Sequence, residues 1–170
     1  MRYKIFQIDT SENPTSNSYT RRIGQHFIRK FQEKFGQLEV SYLDLQRQNP
    51  SYHYIKSLCD SNIWLWGLSE KNNEIPDNFQ NWLQYMKKNS FNITTHCSFK
   101  SQNVVIVLNL KETEDILHTK CHSEPLLRQQ LQHFGIENPT FFYISKSDNS
   151  PTGEIRLQND INNYIASLHL

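Results

Sequence analysis

Segments with the apolar pattern of β-strands alternate five times along this chain with segments that have the period of amphipathic helices. The strand-like segments span residues 3–8, 38–45, 62–67, 104–108 and 140–144, and the helical segments span residues 19–35, 52–59, 77–88, 124–134 and 154–168. This alternation is typical of an α/β domain in which helices cover both faces of a parallel sheet. At 170 residues we predict a single domain over residues 1–170.

Apolar content distinguishes central strands from edge strands in the predicted sheet. Residues 62–67 and 104–108 are almost continuously apolar, which favours strands buried on both faces, with Trp64 and Trp66 packed under helices. Residues 38–45 alternate apolar and polar side chains, which favours a sheet edge. Gly36 is predicted to end the first helix. The inward-facing residues predicted for the last two helices are Leu126, Leu127, Leu131, Ile155, Ile161, Ile165 and Leu168.

Charge and cysteine content restrict the partners and the location of the protein. Eighteen basic and 17 acidic side chains give a net charge of +1, which offers no electrostatic case for nucleic acid or an anionic membrane. No apolar run approaches the ~20 residues of a membrane helix, and no signal-peptide core is present. The three cysteines form no obvious framework, which favours a reducing compartment. We therefore expect a cytoplasmic protein without nucleic-acid or membrane partners.

A polar loop over residues 9–18 joins the first strand to the first helix. A strand that runs through such a loop into a helix is a natural anion site, because the first N–H groups of the helix lack intrahelical partners. Hydroxyl groups of Thr15, Ser16 and Ser18 can add hydrogen bonds to a phosphate. The alternative is that Ser18 is only an N-cap. The Arg21–Arg22 pair could help to bind an incoming phosphate, but such a pair is more often a solvated helix face, which is the interpretation preferred here.

Three polar loops leave the carboxyl ends of the predicted strands, at residues 9–18, 68–74 and 109–123. Open parallel sheets bind ligands at the carboxyl ends of their strands, at the point where the strand order reverses. Any active site is therefore expected among these loops.

The order of these segments resembles the flavodoxin-like NAD(P)H:quinone and azo-compound reductases that carry FMN. The resemblance covers most of the chain and depends on four short matches. They are Ser16-Asn17-Ser18 after the first strand, Glu39-Val40 to Asp44-Leu45, the loop at residues 67–76 with Asn72 followed by Ile75-Pro76, and Phe134-Gly135-Ile136.

The resemblance implies a three-layer α/β sandwich whose five-stranded parallel sheet has the order 2-1-3-4-5. It implies an FMN-dependent oxidoreductase that passes hydride from NADH or NADPH to quinone or azo compounds by a ping-pong route, with a small-molecule acceptor and a homodimeric assembly. Because the flavin carries the chemistry, no protein nucleophile, general base or metal is implied. The implied flavin-binding residues are Thr10, Ser16, Asn17, Ser18, Glu70, Lys71, Asn72, Asn73, Asn109 and Lys111.

Three departures from the family favour a different function on the same scaffold. The second loop keeps Asn72 but lacks the family's aromatic and apolar ring contacts, and the third loop has no Gly-Gly pair. The first strand ends at Asp9, and a carboxylate near a phosphate is unfavourable unless Lys or Arg compensates it. The alternative is a domain without FMN that serves as a binding or interaction module.

A metal site is a weaker alternative. His96, Cys97, His118, Cys121 and His122 are ligand types that zinc accepts, but their spacing matches no zinc motif. We therefore predict no metal.

Overall fold

A computed structural model describes residues 2–13, 17–71, 74–89, 103–110, 123–145 and 150–170 of the protein. Five parallel strands form one sheet with the order β2-β1-β3-β4-β5, which confirms the predicted order 2-1-3-4-5. The strands are β1 (Tyr3–Asp9), β2 (Leu38–Asp44), β3 (Ile63–Ser69), β4 (Asn103–Asn109) and β5 (Thr140–Ile144).

Within the described ranges, five helices pack on the two faces of this sheet. They are α1 (Tyr19–Phe35), α2 (Tyr52–Cys59), α3 (Asp77–Lys88), α4 (Ser123–Gln132) and α5 (Pro151–Ser167). Apolar residues of α1 and α5 form one core with one face of the sheet. Those of α2, α3 and α4 form a second core with the other face. Helix α1 follows β1 and lies on one face of the sheet, whereas α3 follows β3 and lies on the other face. The strand order therefore reverses between the adjacent strands β1 and β3.

The central strand β3 is buried along its whole length. Every residue of Ile63–Ser69 is buried, and the side chains of Trp64 and Trp66 are fully enclosed, as the sequence predicts. Both indole rings belong to the core that α2, α3 and α4 cover, where the Trp66 ring lies 5.0 Å from that of Phe79. The tryptophans of β3 are therefore structural, and they fix α3 against the sheet.

All predicted boundaries lie within three residues of those in the structure. The ranges of α1, α2, α3 and β5 are confirmed, and Gly36 ends α1 with the positive φ of 85° that glycine tolerates best. Strand β3 continues to Ser69, two residues beyond its predicted end, so Leu68 belongs to the core and not to a loop. Helix α5 begins earlier than predicted, because Ser150 caps it with a hydrogen bond from the Gly153 N–H.

Two predicted core residues lie on the surface. Leu126 of α4 is 51% exposed and Ile155 of α5 is 58% exposed, so both predictions are wrong. Each lies one or two positions away from the buried stripe of its helix, which continues through Leu127 and Leu131 in α4 and through Leu157 in α5.

The cysteine pattern also differs from expectation at Cys59. This residue is half-buried against the core at the end of α2, and it is disulfide-bonded, so the expectation of unpaired cysteines is wrong there. Cys97 and Cys121 lie outside the described residues. The cysteines therefore no longer argue for a reducing compartment.

None of the helices in the described ranges is both long and apolar enough to cross a membrane.

Candidate ligand cleft and its buried ion network

Thr10 joins the carboxyl ends of β1 and β3, where the strand order reverses. Its backbone N–H donates to the carbonyl of Gly67 at 3.0 Å. Its hydroxyl accepts the backbone N–H of Ser69 at 3.0 Å and lies 3.4 Å from the Gly67 carbonyl oxygen. These bonds hold the start of the β1–α1 loop against the end of β3. They also use the Thr10 hydroxyl, which sequence analysis assigned to a ligand.

A cleft of about 350 Å³ opens beside this junction, within the size range of small-ligand pockets. Its walls come from the ends of β1, β2 and β3 and from the first turn of α3. The lining residues are Thr10, Glu12, Gln46, Ser69, Lys71, Glu74, Ile75, Pro76, Asp77 and Asn78.

The turn after β3 shapes one wall of the cleft. Lys71 and Glu74 exchange two backbone hydrogen bonds, with N···O distances of 3.2 and 3.0 Å, so the backbones of these two residues are held side by side. The Lys71 ammonium lies 3.8 Å from the Glu12 carboxylate, which belongs to the β1–α1 loop. Three carboxylates against one ammonium make the cleft acidic, since Asp77 adds the third negative charge.

A buried ion network lies beneath the β1–α1 loop, on the sheet face that α1 covers. Asp9 and Asp44 occupy paired positions at the ends of β1 and β2, and the Arg21 guanidinium reaches both. The Arg21 Nη2 lies 2.9 Å from the Asp44 Oδ2 and donates to the Ser11 carbonyl at 3.0 Å. Its Nε lies 3.3 Å from the Asp9 Oδ1, which is an ion pair without a directed hydrogen bond. The interpretation of Arg21 as solvated is therefore wrong.

Burial perturbs the ionisation of this network. The Asp9 side chain is fully enclosed, and this burial raises the pKa of Asp9 from 3.8 to about 6. The N–H of Ser11 and the guanidinium of Arg21 act to lower the same pKa, and Asp44 acts to raise it. Burial also raises the pKa of Tyr42, on the neighbouring strand, to about 12. The network thus carries two carboxylates for one buried cation.

The raised pKa of Asp9 predicts how stability depends on pH. The folded chain holds the Asp9 proton more tightly than the unfolded chain, so this stabilisation is present below the unfolded pKa of 3.8 and is lost as pH rises through about 6. Between pH 4 and pH 7, we expect the free energy of unfolding of Asp9→Asn to rise by about 2 kcal/mol relative to that of the unsubstituted protein. Urea unfolding across this range measures the change, with the exposed Asp160→Asn as control. If the difference in unfolding free energy between Asp9→Asn and the unsubstituted protein does not grow with pH, the prediction is contradicted.

Comparison with known proteins gives a match only at the level of structure. No family model matches the chain, and no curated protein does. Oxidised flavodoxin 1 from Bacillus cereus superposes with a TM-score of 0.64 at 12% identity, over 98% of this chain and 99% of that one. The fold is flavodoxin-like.

Two flavodoxin-like reductases superpose over nearly the whole chain as well. An FMN-dependent NADH-azoreductase from Bacillus anthracis str. Ames Ancestor, solved in complex with FMN, gives a TM-score of 0.67 at 13% identity, over 96% of this chain and 98% of that one. A putative quinone reductase from Klebsiella pneumoniae gives a TM-score of 0.69 at 11% identity, over 97% of this chain and 84% of that one. The resemblance to azo and quinone reductases is confirmed for the fold.

The flavodoxin-like arrangement brings some of the predicted site residues together. Thr10 and Lys71 line the cleft, whereas Glu70 is buried and its N–H donates to the carbonyl of Asn109, at the end of β4. Asn17 is exposed before α1. Ser18 is the N-cap of α1, since its Oγ accepts the Arg21 N–H at 3.3 Å.

Several candidates lie outside the part of the chain that the structure describes. They are Ser16, Asn72, Asn73 and Lys111, together with His96, Cys97, His118, Cys121 and His122 of the metal alternative. Among the residues that are described, no group of three His, Cys, Asp or Glu side chains is arranged for a metal ion.

Sequence analysis missed Gln46, Asn78 and the role of Arg21. Gln46 lines the cleft and donates its side-chain N–H to the Thr10 carbonyl at 2.9 Å. The Arg21 network had a signal in the sequence, because Asp9 and Asp44 end two adjacent strands and demand a cation once buried. Asn78 had no such signal.

The cleft side of the site fits a flavin ring. Asn78 lines the cleft, and both polar atoms of its amide are buried with no hydrogen-bond partner among the described residues. The pyrimidine edge of a flavin carries an N–H between two carbonyl oxygens, which complements a side-chain amide. Leaving such an amide unpaired costs stability, so a ligand that satisfies it gains affinity.

The loop side does not fit a doubly charged phosphate. The hydroxyl groups of Thr10 and Ser18 already bond within the protein, and Arg21, the one buried cation among the residues that the structure describes, faces two carboxylates. Asp9 lies directly under the loop. The site therefore suits the ring of FMN better than its phosphate.

Proposed function

We propose that this protein is a flavin-dependent NAD(P)H oxidoreductase that reduces small quinone or azo compounds. The supporting observation is the cleft between the carboxyl ends of β1 and β3, which is lined by Asn78, a residue whose buried amide has no hydrogen-bond partner among the described residues. The names of two structural neighbours, an FMN-dependent NADH-azoreductase and a putative quinone reductase, point to the same chemistry. FMN is therefore the reference flavin, and NADH or NADPH is the proposed reductant.

The flavin would supply the redox chemistry, since it takes up a hydride from a nicotinamide and passes two electrons to an acceptor. The protein would bind and orient it. We propose that Lys71 and Asn78 contact the ring, together with Glu70, Asn72, Asn73, Asn109 and Lys111 of the second and third loops. Thr10 and Ser18 instead keep the loop in shape through the bonds described above.

Three further properties belong to the same proposal. By analogy with the reductases we propose a homodimer, which light scattering tests. We propose the cytoplasm as its location, because NADH and NADPH are supplied there. A balanced net charge of +1 supports the absence of nucleic-acid and membrane partners.

A second candidate function is a binding module without a flavin. The ion network of Asp9, Arg21 and Asp44 favours this function, because the protein's own charged side chains already occupy the space beneath the β1–α1 loop.

The test is NADH and NADPH oxidation with added flavin and a quinone or azo acceptor. Glu74 is exposed at the cleft wall, so Glu74→Trp fills the cleft while leaving the core intact. We expect flavin-dependent turnover well above that of free flavin, reduced about tenfold or more in Glu74→Trp. The matched control is Glu137→Trp, an exposed glutamate outside the cleft, which is expected to keep full activity. Turnover no faster than free flavin would favour the binding module.

A further inference from the structure

The Asp9 carboxylate is bonded in the way that such a loop would bond an external anion. Its Oδ1 accepts the backbone N–H of Ser11 at 2.7 Å and lies 3.3 Å from the Nε of Arg21. Its Oδ2 lies 3.5 Å from the hydroxyl of Thr20, in the first turn of α1. These groups are one backbone N–H of the β1–α1 loop and two side chains from the first turn of α1, so the Asp9 carboxylate lies at the end of the helix that favours negative charge.

Close packing holds this carboxylate in place. The Asp9 side chain is fully enclosed, and a Cβ added at Gly67 of β3 would lie 3.2 Å from its Oδ2. Thr20 is only 1% exposed, and its hydroxyl lies 3.1 Å from that of Ser18. The carboxylate therefore has no room to swing aside for a second anion.

The charge balance around the carboxylate also opposes a second anion. Arg21 is shared with Asp44, so two buried carboxylates face one buried guanidinium. Arg47 lies 3.8 Å from Asp44, but its side chain is 75% exposed and screened by water. The cleft adds the carboxylates of Glu12, Glu74 and Asp77 against Lys71.

We propose that Asp9 is a built-in anion that occupies the anion site of the β1–α1 loop, and that the site therefore takes a ligand without a phosphate. Given the proposed function, that ligand is an unphosphorylated flavin with an uncharged polyol chain, bound at least as well as FMN. Asp9 thus acts as a specificity-determining residue for the tail of the cofactor, while the cleft holds the ring.

The experiment compares two flavins and two substitutions at pH 8, where Asp9 and phosphate are both ionised. Quenching of flavin fluorescence gives the Kd of riboflavin and of FMN for the unsubstituted protein, Asp9→Ser and Asp9→Asn. We expect riboflavin to bind the unsubstituted protein as tightly as FMN or tighter, and Asp9→Ser to bind FMN about tenfold tighter with little change for riboflavin. Asp9→Asn keeps the shape of the side chain, so it covers the case in which Asp9→Ser folds poorly. Asp160→Ser, at an exposed site, is the matched control.

The outcomes separate this inference from the proposed function. If the unsubstituted protein binds FMN about tenfold or more tightly than riboflavin, Asp9 is no barrier and the inference is overturned, while the flavin function stands. If neither flavin binds, the proposed function fails, and inorganic phosphate then tests the inference alone. We expect phosphate to raise the Tm of Asp9→Ser more than that of the unsubstituted protein or Asp160→Ser, at equal ionic strength. Equal shifts in all three proteins would overturn the inference.

Discussion

The substitution Arg21→Met is expected to lower the free energy of unfolding by about 3–5 kcal/mol at pH 7. Arg21 is 7% exposed and lies within ion-pair distance of both Asp9 and Asp44. Methionine keeps much of the side-chain volume, but it removes the guanidinium from Asp9 and leaves Asp44 facing only the exposed Arg47. Removing one partner is the costly part of breaking a buried ion pair. Urea unfolding followed by tryptophan fluorescence measures the change.

The neighbouring arginine provides the matched control for this prediction. Arg22 also pairs with a carboxylate, that of Glu154 at 3.0 Å, but both side chains are partly exposed. Arg22→Met is therefore expected to cost no more than about 1 kcal/mol. Adding Asp9→Asn to Arg21→Met should restore part of the loss, because one uncompensated charge disappears. Equal losses of unfolding free energy in Arg21→Met and Arg22→Met would show that Asp9, Arg21 and Asp44 do not form a buried ion network.

The substitution Trp66→Ala is expected to destabilise the fold by about 3–5 kcal/mol, the usual range for removing a large buried aromatic side chain. Trp66 is fully enclosed at the centre of β3, where it pairs with Ile8 and Ile106, and its ring lies 5.0 Å from that of Phe79 in α3. The cavity would open directly beneath the helix that forms one wall of the cleft. Circular dichroism at increasing urea concentration measures the loss.

Tyr52→Ala is the control for Trp66→Ala, since Tyr52 begins α2 with 56% of its surface exposed. This change is expected to stay within about 0.5 kcal/mol. Trp66→Phe is expected to cost much less than Trp66→Ala, because it keeps an aromatic ring and removes a buried indole N–H that has no hydrogen-bond partner in the described part of the chain. A loss below about 1 kcal/mol for Trp66→Ala would mean that the core collapses to fill the space.

The fold could be predicted from the sequence because its signals are periodic. The apolar stripe of α1 and the continuous apolar run of β3 each indicate their own element, and together the segments allow few topologies. The errors fall where the period is ambiguous. Leu126 is next to the buried Leu127, and a shift of one position moves a helical side chain by about 100° around the axis.

The candidate site was less accessible to prediction, because its decisive contacts join distant parts of the chain. Sequence analysis identified Asp9 as a problem for a phosphate unless a cation compensated it. It did not identify Arg21 as that cation, nor Asp44 as a second carboxylate, since both contacts depend on the register between β1 and β2 and on the placement of α1. The Asn78 amide became a candidate only once its burial was known.

Equilibrium dialysis against riboflavin and FMN tests most directly the claim that the cleft at the end of β1 and β3 binds a flavin. Dialysis at equilibrium detects a ligand that gel filtration would remove. We expect about one bound flavin per chain at saturation, with most of that binding lost in Glu74→Trp and retained in Glu137→Trp. No flavin bound, or equal binding by Glu74→Trp, would contradict it.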